Sequence, residues 1–166
     1  MTSISAIEFE TRLQWQGADR ATLSTEHTPA LPLGGLIAGH PTPDRWSPET
    51  LLVGAAEGRT LQSFLERART EGLEILFYQS SAMGRRVEGQ DAPPHFTDLI
   101  VRPHVAVRTE ADAERVRRIF EELPCRCFPS TILHLTPRIE PVVEVWDGPR
   151  AADRGPPAAL GTNATA

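Results

Sequence analysis

Apolar and polar residues alternate from 6 to 15 (AIEFETRLQW), which puts Ile7, Phe9, Thr11, Leu13 and Trp15 on one face of a strand. Gln16 to Asp19 reads as a turn, and Arg20 to Glu26 pairs back to make a hairpin. Residues 28 to 46 are rich in Pro and Gly and read as a long loop. A helix follows. Ser47 is a good N-cap, Pro48 suits the first helical position, Glu49 favours the positive end of the dipole, and Gly72 is a natural stop. Such a helix spans roughly 36 Å. Glu74 to Ser80 is strand-like, Met83 to Asp91 holds a turn, and Phe96 to Arg108 is a second strand, where Pro103 predicts an edge or a bulge. Thr109 caps a second helix with Asp112 in a capping-box-like position. Its stripe is Ala113, Val116, Ile119, Phe120 and Leu123. Pro124 interrupts that helix, and Arg138 to Trp146 closes as a last strand. The pattern predicts an α+β domain over residues 1–146 and a disordered tail over 147–166.

The first helix is the anomaly. Leu51, Leu52, Val53, Ala55, Ala56, Leu61, Phe64 and Leu65 cover most of its circumference, which predicts burial from several sides. One small domain covers one face, so a second copy of the chain is the economical partner. Gly54 and Gly58, spaced i, i+4, let two helix backbones approach closely. The alternative is that they accommodate a packed strand. Glu57 and Arg59 stand near the middle of this helix and point to nearly opposite sides, so they do not pair with each other. An unpaired buried charge is prohibitively costly. Each therefore needs a partner from elsewhere, such as an inter-chain ion pair, or lines an anion-binding or reactive site at the seam.

The 166 residues are enough for one domain with a real core. A net charge of −5 argues against nucleic acid or an anionic membrane as the main partner. No apolar run is long enough to span a bilayer and no signal peptide is legible, so the expected location is cytoplasmic, with Cys125 and Cys127 as thiols. Two cysteines make no zinc site, and the five histidines show no metal spacing with them, so no metal or other cofactor is expected.

Ser47-Pro48-Glu49-x-Leu51-Leu52-x-x-Ala55-Ala56 resembles the opening of the long central helix in the OsmC/Ohr family, the osmotically inducible and organic hydroperoxide resistance proteins. Cys127-Phe128-Pro129-Ser130 resembles the family's second cysteine motif, and the order of elements over about residues 6–146 is similar. The resemblance implies antiparallel sheets packed around the long helix in an intertwined homodimer. It also implies reduction of organic hydroperoxides by a cysteine pair. The first cysteine, on the central helix, attacks the peroxide, and the second resolves the sulfenic acid as a disulfide. A loop arginine and the glutamate of the Pro-Glu motif assist.

Counted from Pro48-Glu49, the attacking cysteine falls at position 59, which is Arg59 here, and the assisting arginine falls near Gly39. Glu49 and Cys127 match. Guanidinium is not a nucleophile and cannot carry a sulfenic acid, so the two-cysteine cycle cannot run. Three readings remain. The chain is an oxidative-stress-linked relative without that cycle; or it is a single-thiol peroxidase using Cys127, with Glu49 assisting; or it binds a small amphipathic acid through Arg59, with Glu57 nearby. If active, it is a thiol-dependent hydroperoxide reductase. Glu49 and Arg59 lie roughly 15 Å apart along one helix, so they meet only across a dimer or if the helix breaks.

Overall fold

A computed structural model of the chain describes residues 8–37, 40–88, 93–123 and 135–146. The chain divides into two compact units within its long helix, between Leu52 and Val53.

In the first unit, β1 (Arg12–Gly17) and β2 (Arg20–Ser24) form the expected hairpin, with Leu13 opposite Leu23 and Trp15 opposite Ala21. Gly17 turns the chain at φ +96°, a conformation that glycine adopts without strain. β1 starts at Arg12, later than the alternation predicts, and residues 8–11 form no strand. The stretch expected as a loop is partly laddered. β3 (Leu31–Leu33) pairs with β2, and β4 (Leu36–Ile37) pairs with β5 (His40–Pro41). Pro and Gly shorten these ladders to two or three residues without abolishing them. The Trp46 N–H donates to the Pro32 carbonyl at 2.9 Å, and the Gly34 N–H donates to the Trp46 carbonyl at 3.0 Å. Gly34 gives this crossing its close approach: a Cβ would lie 2.9 Å from Arg45 Cδ and 3.2 Å from Thr42 Cβ, so both side chains would have to shift.

The helix α1 (Pro48–Thr70) starts on a reciprocal cap. The Thr50 N–H donates to Ser47 Oγ at 3.1 Å, and the Ser47 N–H donates to Thr50 Oγ1 at 2.8 Å. It ends on Gly72 at φ +66°, with the Leu73 N–H donating to the Ala68 carbonyl at 2.9 Å, a Schellman closure.

In the second unit, β6 (Phe77–Val87) and β7 (His95–Val107) make a long antiparallel pair. β6 runs through Met83–Val87, where a turn is expected. Gly84 is a packing residue there: a Cβ would sit 2.6 Å from Val53 Cγ2 and 2.7 Å from Phe96 Cε1. The predicted last strand is two short ones, β8 (Arg138–Ile139) and β9 (Val142–Val145), both parallel to β7, so this sheet is mixed and not purely antiparallel. Pro103 lies in the middle strand, not at an edge. The β8 ladder stops at Val101 and the β9 ladder starts at His104, so the missing N–H falls at the gap between them. α2 (Glu110–Glu122) is capped as expected, with the Asp112 N–H donating to Thr109 Oγ1 at 3.1 Å. Its stripe of Ala113, Val116, Ile119 and Phe120 is buried against Val105, Val107 and Phe64. Cys125, Cys127 and the tail beyond Trp146 lie outside the described residues.

Candidate functional site

The two sides of α1 differ. Its buried residues are Ala56, Thr60, Phe64 and Ala68, a single i, i+4 stripe. The expectation of burial on several sides is not met by one chain: Ala55, Gly58, Arg59 and Gln62 are exposed. A Cβ added at Gly58 would meet nothing within 4 Å among the described residues.

Glu57 and Arg59 follow that division. Glu57 faces the sheet, half-buried, and Ser80 Oγ donates to its Oε1 at 2.6 Å. Its partner is therefore in the same chain. Tyr78, two residues before Ser80 on the same face of β6, has a buried hydroxyl with no hydrogen-bond partner among the described residues. Burial raises its pKa above the usual phenolic value; nearby Ser80 offsets part of that shift, and the Glu57 carboxylate adds to it. Phe64 packs beside it, its ring 5.7 Å from Tyr78 and stacked at 4.6 Å on Phe120. The sequence reading missed Ser80 and Tyr78. Period-2 alternation from Tyr78 to Ala82 was the available signal, but nothing local ties that face to Glu57.

Arg59 is exposed and has no ion pair among the described residues. It presents a free guanidinium at mid-helix, able to take a carboxylate or phosphate bidentately. Glu49, in the first turn, is half-buried, and its Oε2 is buried with no hydrogen-bond partner among the described residues. A carboxylate oxygen in that state waits for a donor. Cys127 and Gly39 lie outside the described residues, so Glu57 and Arg59 are placed on α1 without the thiol. Among the described residues no group of histidines, cysteines and carboxylates could hold a metal ion, and no helix is long and apolar enough to cross a membrane.

No family sequence model matches this chain, and no curated protein matches it by sequence. Solved structures do match. One is an OsmC-like protein of unknown function from Vibrio cholerae, 16% identical, with a TM-score of 0.67 over 82% of this chain and 100% of that one. An OsmC-like protein from Mycoplasma pneumoniae is 11% identical, with a TM-score of 0.66 over 84% of this chain and 99% of that one. An organic hydroperoxide resistance protein OsmC from Legionella pneumophila is 14% identical, with a TM-score of 0.56 over 84% of this chain and 100% of that one. Among the described residues the architecture is α+β, with two helices, two antiparallel sheets (β1–β2–β3 and β4–β5) and a mixed sheet of β6 to β9. The chain has the OsmC-like fold.

Proposed function

We propose that this chain is a homodimeric relative of the OsmC and organic hydroperoxide resistance proteins, linked to oxidative-stress defence, that does not run the two-cysteine peroxide cycle. In its place Arg59 anchors a small amphipathic acid. The observation that carries this reading is Arg59 itself: an exposed guanidinium without an ion pair among the described residues, on the open face of α1. The fold likeness supports the class, since several structural neighbours are hydroperoxide resistance proteins. Arg59 stands where the resemblance expects a thiol, and the chain's two cysteines, Cys125 and Cys127, lie far along the sequence from α1. A homodimer built on the outer face of α1 accounts for Gly58, whose missing side chain serves no contact among the described residues. Such a seam would surround each Arg59 with Ala55, Gly58 and Gln62 and their counterparts, a setting in which a carboxylate pairs more strongly than in water.

Calorimetric titration with a medium-chain alkyl carboxylate tests the anchor. The expected result is binding by the wild type and by Cys127→Ser, and at least tenfold weaker binding by Arg59→Ala. Equal binding by Arg59→Ala removes the anchor role. Loss of the dimer in Arg59→Ala, with no binding by the wild type, assigns Arg59 to an inter-chain ion pair.

A further inference from the structure

The last strand is fastened to the sheet by a cluster that the proposed function does not use. β9 is short and, among the described residues, pairs only with β7, in parallel. Edge segments with few ladder bonds open first in local unfolding. His104 on β7 lies opposite Val142, and Ala106 lies opposite Glu144, so His104 and Glu144 project from the same face. Glu144 Oε2 accepts the Trp146 indole N–H at 2.9 Å and lies 3.2 Å from His104 Nε2. That nitrogen is buried, close enough for an ion pair but not aligned for a directed hydrogen bond. Phe77 of β6 stands edge-on to His104 at 5.3 Å and stacks on Trp146 at 5.1 Å. Ala106, between Phe77 and Glu144 in the register, is fully buried.

Few other charges reach this imidazole among the described residues. On β7 the same face carries Arg102, which Glu140 already engages at 2.9 Å. From β6 that face brings Phe77, Gln79 and Ser81, none of which titrates. From β9 it brings Val142 and Glu144. α2 packs on the opposite face, against Val105 and Val107.

We propose that His104 and Glu144 form a proton-operated clasp that holds β9 on β7 when the imidazole is charged and loosens it when the imidazole is neutral. An imidazolium attracts the carboxylate across this gap, whereas a neutral ring offers no charge and can turn a lone pair toward it. The Glu144 carboxyl is held below the usual carboxylate range, first by the Trp146 indole and then by His104, so it stays ionised where histidines change charge. The indole bond persists in both states. Loosening bares the β7 edge and uncovers core beside α2, since Val143 packs on the same cluster as Val116 and Phe120.

Amide hydrogen exchange of β9 and Trp146 in the whole protein, at about pH 5.5 and about pH 8, tests this, with α2 amides as the internal reference. After correction for intrinsic rates, β9 protection is expected to be roughly twofold to fivefold higher at the acid pH, the size of a part-exposed ion pair, with α2 unchanged. His104→Gln is expected to flatten the dependence, and so is Glu144→Gln, which keeps an acceptor for the indole. Equal protection at both pH values in the wild type overturns the clasp, as does an undiminished dependence in His104→Gln. If either variant loses α2 protection, the wild-type Trp146 indole N–H resonance decides. It is expected to titrate with the His104 imidazole, and separate midpoints overturn the proposal.

Discussion

α2 and α1 both carry apolar residues at helical spacing and end in different situations. In α2 each apolar residue of the helical stripe finds its partner in the same chain: Ala113, Val116, Ile119 and Phe120 are buried. In α1 only every fourth residue from Ala56 to Ala68 is buried, and the side carrying Ala55, Gly58 and Arg59 is left open. A helix whose pattern closes on its own sheet is explained by its fold. The proposed dimer seam would explain small residues on an open face: glycine in a helix costs about 1 kcal/mol relative to alanine, and among the described residues no contact offsets that cost at Gly58.

The largest expected effect is at the junction of the two helices. Phe64→Ala removes a fully buried ring stacked on Phe120, so chemical denaturation should show a loss of about 3–5 kcal/mol. A loss below about 1 kcal/mol would mean that α1 is not fastened to α2 as described. Gly58→Leu attacks the other side. Sedimentation should show a dimer in the wild type and a largely monomeric variant, still folded, since a side chain there has open space among the described residues. A variant dimer as tight as the wild type would refute a seam at Gly58. Thr109→Ala should cost about 1 kcal/mol through loss of the α2 cap, without touching the oligomeric state. The smallest effect is at Tyr78. Tyr78→Phe deletes a buried hydroxyl without a partner among the described residues, so stability at neutral pH should stay within about 1 kcal/mol of the wild type. The raised pKa keeps this hydroxyl neutral in the fold at pH values where it ionises in the unfolded chain. Wild-type stability should therefore fall as pH rises beyond about 10, and less so in Tyr78→Phe.

Local signals were legible where the chain decides its structure locally. Ser47, Gly72 and Thr109 marked helix ends through capping chemistry, and the alternation around Leu13 and Trp15 marked a hairpin. Leu13 and Trp15 are nevertheless 63% and 72% exposed, so that face of β1 is apolar without cover among the described residues, and Phe9, ahead of the strand, is 91% exposed. Gly84 misled because glycine in a strand reads as a turn, whereas here Val53 and Phe96 leave no room for a Cβ. Pro103 misled because the sheet splits its neighbour into β8 and β9 at that point. At the candidate site, the opposed directions of Glu57 and Arg59 were readable from helical geometry. The Ser80 partner of Glu57 was not, because it depends on how β6 is registered beneath the helix. His104, Glu144 and Trp146 meet only through a parallel pairing about forty residues apart in sequence, which no local pattern encodes.

The central claim is that replacing thiol chemistry with a guanidinium at position 59 ends the peroxide cycle. Reductant-coupled consumption of an alkyl hydroperoxide by the purified protein tests it most directly. The expected result is no turnover above the uncatalysed rate, for the wild type and for Cys127→Ser alike. Turnover by the wild type that disappears in Cys127→Ser would contradict the claim and move the chemistry to Cys127.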